Sequence, residues 1–166
     1  MRVTMGLFAR LIYHSLAWKE RRRAQRAVLS GRKEQRQAGI DDLGARGETL
    51  ACWYVRQAGY TVVARNWRAR SGAGELDLVA WDGQVLTFVE VKTRTSEATG
   101  PPELAVSLDK QTRIIKAAGE YLRQLKGKPV NYRFDIVSVS LDSRQDLEVR
   151  LIKNAFNGRL PAPAHY

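Results

Sequence analysis

The 166-residue chain holds one cysteine, Cys52, and two histidines, His14 and His165. A lone thiol excludes an internal disulfide framework and any zinc site built on cysteines. Two histidines argue against a histidine-rich metal centre and against a Ser-His-Asp triad. No run of eighteen apolar residues is present, so the sequence offers no hydrophobic membrane span. Internal repeats and low-complexity tracts are absent as well. The other scarcity is negative charge: 17 acidic residues face 28 basic ones, a net charge of +11.

Apolar residues make up 44% and charged residues 27% of the chain, so a packed core is available and wholesale disorder is excluded. The basic excess is uneven. Residues 1–40 carry ten Lys/Arg and two Glu, leaving only +3 of the net charge to residues 41–166. The chain therefore reads as a basic extension over 1–40, partly helical or disordered, a domain over 41–157 and a loose tail over 158–166. A basic balance points to polyanions, nucleic acid before an anionic membrane surface. Within the extension, Leu7, Phe8, Leu11, Ile12 and Leu16 recur at helical spacing and predict a short amphipathic helix over 5–18. Arg10 and His14 interrupt its apolar stretch, and the positive charge follows it rather than precedes it, so a secretory signal is rejected and a cytoplasmic location expected. The extension is either a solvated arm or a sequence-independent grip on phosphates.

From residue 41 the patterns become regular. Asp41 and Asp42 offer a helix cap, Leu43 to Ala58 step at three and four residues, and Gly59 stops the helix. Tyr60–Trp67 is rich in β-formers and predicts a strand. Ser71-Gly72-Ala73-Gly74 is a turn, too short of a following helix to be a phosphate-binding loop. Glu75–Trp81 and Gln84–Arg94 predict two further strands joined at Asp82-Gly83, a strong hairpin signal. Ser107 or Asp109 caps a second helix whose stripe is Ile114, Ala118, Tyr121, Leu122 and Leu125. Tyr132–Ser140 and Leu147–Ile152 complete the strands. Helix, three strands, helix, strand, strand predicts an α/β fold: a central mixed sheet flanked by helices.

The hairpin allows side chains to be placed. With Asp82-Gly83 as a two-residue loop, Trp81 pairs with Gln84, Asp77 lies opposite Phe88, and Glu75 lies opposite Glu90. Alternation then puts Glu75, Asp77, Glu90 and Lys92 on one face. Two like charges ~6 Å apart repel by about 3 kcal/mol at an effective dielectric of ~20. Lys92 offsets part of that, and a divalent cation offsets more. Oxygen ligands without His or Cys suit Mg²⁺ or Mn²⁺, and such an ion beside a phosphate and a water serves phosphodiester hydrolysis. Asp77 and Glu90 are the expected ligands, with the main-chain carbonyl of Val91 as a further donor. Lys92 is expected to orient the attacking water and to stabilise developing charge. A Glu-x-Lys tripeptide alone is common and often an exposed strand pair; its weight here comes from Asp77 one hairpin away.

Gly47-Glu48, Gly74-Glu75-Leu76-Asp77, Phe88-Val89-Glu90-Val91-Lys92-Thr93-Arg94, Lys110, Arg133-Phe134-Asp135 and Asn154-Ala155-Phe156 occur in this order. Over about residues 44–157 they resemble the bacterial YraN-like family of endonuclease-like proteins, a branch of the restriction-endonuclease-like PD-(D/E)xK superfamily similar to archaeal Holliday-junction resolvases. The resemblance implies an αβββαβ core with its carboxylates at the edge of the central sheet. It implies that Asp77 and Glu90 are metal ligands and Lys92 the catalytic lysine. It also implies that Glu48, on its own reading a surface helix glutamate, completes the metal site from the first helix. The proline of the superfamily motif is absent, since Leu76 precedes Asp77.

Nucleic-acid contacts are expected from Arg65, Arg68 and Arg70 around Trp67, from Arg94 after the catalytic strand, and from Lys110 and Arg113 at the start of the second helix. Phe134 reads as core, and the Arg133–Asp135 ion pair as structural. The expectation is a DNA endonuclease dependent on Mg²⁺ or Mn²⁺, acting on branched or repair intermediates. One rival is a non-catalytic nucleic-acid-binding module on the same fold, and another is a membrane-surface protein using residues 5–26. A homodimer follows only by analogy with junction resolvases.

Overall fold

The computed structural model describes residues 2–4, 32–95, 106–125, 131–141 and 147–158. The helix expected over 5–18 and most of the tail lie outside the described residues.

The first helix, α1, spans Arg32–Gln57. It begins inside the basic segment, so Asp41 and Asp42 are interior helix residues and not its cap. Its end follows the expected signal. Gly59 takes φ 92, and the Tyr60 amide donates back to the Val55 carbonyl at 3.0 Å, which satisfies a carbonyl left over by the last turn.

Strands β2 (Thr61–Arg68), β3 (Glu75–Asp82) and β4 (Val85–Thr95) form an antiparallel meander. Helix α2 (Leu108–Gln124) then carries the chain over, so that β5 (Asn131–Leu141) runs parallel to β4. Strand β6 (Leu147–Phe156) returns antiparallel to β5, and the short β1 (Arg2–Thr4) pairs with β6 at the edge. The sheet order is β1-β6-β5-β4-β3-β2. This αβββαβ arrangement around a mixed sheet is that of a restriction-endonuclease-like core.

Alternation along the strands builds two cores. Leu78, Ala80, Val89, Val91, Val137 and Val139 face α1, where Leu50, Ala51, Tyr54 and Val55 are buried. Val79, Leu86, Phe88, Phe134 and Ile136 face α2 and meet Ile114, Ala117 and Ala118. Phe134 stacks between Phe88 and Phe156, with centroids at 5.5 and 5.0 Å, and is a core residue as its sequence context predicted. Ser107 caps α2, its side chain accepting from the Lys110 amide.

The hairpin register differs from the expected one. Trp81 pairs with Leu86 and Asp82 with Val85, so the loop is Gly83-Gln84. Gly83 sits at φ 60 while Gln84 is not among the left-handed residues, the pattern of a turn with glycine at its first central position. The expected Asp82-Gly83 loop puts that glycine second. Because the shift is by two, every side chain keeps its face.

Candidate active site

Strands β3 and β4 diverge. Their ladder ends at Leu78–Val89, whereas β3 continues beside β2 to Glu75 and β4 continues beside β5 to Thr95. One step past the last pair stand Asp77 and Glu90, opposite each other at the fork. Asp77 therefore faces Glu90 and not Phe88. Glu75 does not join the pair; its carboxylate meets Arg68 Nε at 3.2 Å.

Each carboxylate is held by a different device. Asp77 Oδ2 accepts the Val91 amide at 2.8 Å, so the side chain replaces a ladder bond where the strands part. Glu90 is 3% exposed. Its Oε1 takes both Lys92 Nζ at 2.9 Å and Lys110 Nζ at 3.3 Å. Its Oε2 is buried and has no hydrogen-bond partner. Leaving a buried carboxylate oxygen unpaired costs about 1–3 kcal/mol or more.

Electrostatics carry the same mark. Asp77 is pushed up to about 7, first by burial and then by the charge of Glu90. The Val91 hydrogen bond and the Lys110 ammonium oppose that rise, and Glu48 adds to it. The site is thus short of positive charge although two lysines already serve it.

Glu48 reaches this neighbourhood from the other side of the sheet because α1 comes very close to β4. A Cβ on Gly47 would collide with Thr93 Oγ1, so only glycine permits the approach. Among the described residues, no three His, Cys, Asp or Glu side chains converge to hold an ion. The carboxylates at hand are the Asp77–Glu90 pair, with the Val91 main chain beside Asp77 and Glu48 near enough to influence it. Such a set fits a small hard cation that keeps several waters, as Mg²⁺ does. The unpartnered Oε2 is where the fit is most specific.

The expected nucleic-acid contacts divide. Arg65, Arg68 and Arg70 are exposed on or just after β2, beside Trp67, whose ring packs edge-on to Tyr121. Arg68 is spent partly on Glu75, and the Arg70 amide donates to Glu120. Arg113 is exposed and pairs with Asp109. Lys110 is drawn inward to Glu90, a role that its place in the first turn of α2 did not reveal. Arg94 lies on β4 opposite Ser140, and its side chain is outside the described residues.

A second polar cluster surrounds the Arg133–Asp135 ion pair that the sequence predicts, and its other members are new. Asp135 is fully buried and accepts from Tyr60 Oη, Arg133 Nε and the Asn154 amide at 2.9–3.1 Å. Asp82 completes it, bound by Arg133 and by Lys153 at 2.7 Å. The signal was partial: Arg133-Phe134-Asp135 and Asn154-Ala155-Phe156 stood out as motifs without any hint that they touch. Being fully paired, this cluster is structural. Among the described residues, no helix is long and apolar enough to cross a membrane.

The sequence model of the family described as "Uncharacterised protein family UPF0102" matches residues 47–139, which span α1 from Gly47 through most of β5. A UPF0102 protein of Solibacter usitatus is 51% identical over 105 residues, covering 63% of this chain and 80% of the relative. One from Symbiobacterium thermophilum is 45% identical over 115 residues, covering 69% and 96%. Another, from Syntrophus aciditrophicus, is 44% identical over 113 residues, covering 68% and 87%.

Proposed function

The chain belongs to the UPF0102 family, and from the chemistry at the strand fork we propose that it is a divalent-metal-dependent endonuclease hydrolysing phosphodiester bonds of DNA. The observation that carries this reading is the buried, unpartnered Oε2 of Glu90 beside an Asp77 whose ionisation is opposed by burial and by Glu90 itself. A dication satisfies both with one ligand. Asp77, Glu90 and the Val91 carbonyl would hold it, with Glu48 as the nearest further carboxylate. When bound there, Mg²⁺ or Mn²⁺ supplies a polarised phosphate oxygen and a more acidic water.

The remaining work falls to the chain. Lys92 keeps an ammonium 2.9 Å from Glu90, next to where a phosphate would be seated, and meets the negative charge that grows on it during attack. The Val91 amide fixes one oxygen of Asp77, which orients the carboxylate before any substrate arrives. Arg65, Arg68, Arg70 and Arg113 supply basic side chains for strand phosphates on the surface around the fork.

The test is cleavage of supercoiled plasmid and of four-way and flapped DNA by the full chain with Mg²⁺ or Mn²⁺. Cleavage is expected to vanish in Asp77→Ala and in Lys92→Ala while DNA binding persists. Binding without turnover in the unaltered protein would instead favour the non-catalytic module, and cleavage surviving both substitutions would expose a contaminating nuclease.

A further inference from the structure

Among the described residues, Lys110 borders both the carboxylate pair and a groove. Its Nζ lies 3.3 Å from Glu90 Oε1, an oxygen already served by Lys92. Its side chain also lines a groove of about 370 Å³ together with Gly72, Ala73, Gly74, Glu75 and Arg113. That volume lies within the ~300–1,000 Å³ of ordinary small-molecule sites.

The groove has a built wall. Glu120 on α2 accepts the Arg70 amide at 2.7 Å and the Ser71 hydroxyl at 2.5 Å, which ties the β2–β3 turn to the helix. Gly74, at φ 153, comes so close to α2 that a Cβ there would meet the Arg113 carbonyl at 3.0 Å. No helix follows the Ser71–Gly74 turn in sequence, and α2 packs on it across space. The groove's described lining carries one carboxylate, Glu75, which pairs with Arg68, and two cations, Lys110 paired with Glu90 and Arg113 paired with Asp109, so the lining is basic on balance. Glu75 is two residues from Asp77, so the groove opens beside the fork.

Two ammoniums on one carboxylate oxygen are more than it needs once a dication arrives. Lys92 is tied to the same strand as Glu90, two residues away. Lys110 has another place to go. We propose that Lys110 is an exchange residue: it neutralises Glu90 in the absence of an ion, and on ion binding it turns into the groove to hold a phosphate of the nucleic-acid strand lying there. This deepens the endonuclease reading and rests on it. It requires ion and strand to bind with positive coupling, each strengthening the other by the same factor.

The test uses the full chain stripped with EDTA. Mn²⁺ binding is followed by the paramagnetic resonance of the free ion, and strand binding by fluorescence anisotropy of labelled single-stranded and duplex oligonucleotides, with and without Mn²⁺. Removing a competing ammonium from a partly exposed pair is expected to tighten Mn²⁺ binding about two- to fivefold in Lys110→Met without DNA. The gain in oligonucleotide affinity that Mn²⁺ gives the unaltered protein is expected to shrink toward none in Lys110→Met. Arg113→Met, which lines the groove without touching Glu90, is expected to weaken oligonucleotide binding and leave Mn²⁺ affinity where it was. Equal Mn²⁺ affinity in Lys110→Met and the unaltered protein, with binding abolished by Glu90→Gln, would overturn the exchange and leave the metal site standing. An Arg113→Met shift as large as that of Lys110→Met would overturn it too, as a general charge effect. No Mn²⁺ binding that depends on Glu90 would remove both readings together.

Discussion

The amide of Val91 donates to Asp77 Oδ2 at 2.8 Å, across the point where β3 and β4 separate. One side chain thus closes the ladder and presents a carboxylate to Glu90. Its structural duty needs only an acceptor oxygen. Its negative charge is a burden in a buried place, and the rise of Asp77 toward neutrality shows that burden.

Asp77→Asn keeps an acceptor for the Val91 amide and removes the charge. It is expected to stabilise the ion-free protein by about 1 kcal/mol. Asp77→Ala, which also orphans the amide, is expected to fall about 1 kcal/mol below the asparagine variant. Urea denaturation at pH 8 in EDTA measures both. An asparagine variant less stable than the unaltered protein would contradict the account of Asp77 as a strained charge.

Gly47 and Thr93 set how closely α1 approaches β4. Gly47→Ala forces a methyl against the threonine hydroxyl and is expected to cost about 1–3 kcal/mol. Thr93→Ala removes the nearest atom but leaves the threonine Cβ position 3.0 Å away, so rescue should be partial. A double-mutant cycle on unfolding free energy is expected to show a favourable coupling of about 0.5–1.5 kcal/mol. A coupling near zero would mean that the helix simply shifts outward.

Much of this fold is legible in the residues. The stripe of α2, its Ser107 cap and the end of α1 at Gly59 are local signals, and they hold. The edges of β2 to β5 shift by a residue or so. Strand β6 outruns its expected end at Ile152 because Asn154 adopts φ 53, and a register shift faces it between Phe134 and Ile136. Alternation is blind to such a bulge. The grouping of Asp77, Glu90 and Lys92 survived an error in the hairpin register only because the error was even. Lys110 and the Gly47–Thr93 contact were hidden for another reason. Both depend on which helix face meets which strand end, and no local pattern encodes that.

Asp135 is the hub of the second cluster, fully buried and accepting from Tyr60, Arg133 and the Asn154 amide. Removing it leaves a guanidinium, a hydroxyl and an amide short of partners. Asp135→Ala is expected to destabilise by about 3–5 kcal/mol, the range for breaking a buried pair by deleting one member. Asp135→Asn keeps some acceptors and should cost less. The same cluster pins the Asn154 bulge, so hydrogen exchange of the β5–β6 amides should quicken with it. Exchange confined to the chain ends would argue that the bulge holds without Asp135.

Asp82 lies at the exposed rim of that cluster, where hydrogen bonds from Lys153 and then Arg133 hold its carboxyl below the usual carboxylate range. The sign follows from linkage. A depressed folded-state value gives stability that is present above the unfolded value of about 4 and is lost as pH falls through the folded one. Solvent screening at this rim keeps the contribution under about 1 kcal/mol. The stability difference between the unaltered protein and Asp82→Asn is therefore expected to be flat from pH 7 to pH 5 and to shrink below pH 4. Lys153→Met removes the larger cause while Arg133 stays, so it should move the acid limb upward without abolishing it. Urea titrations across that pH range decide the point: a difference that grows toward low pH would mean that Asp82 is better tolerated protonated, and that its two cations repel each other more than they hold it.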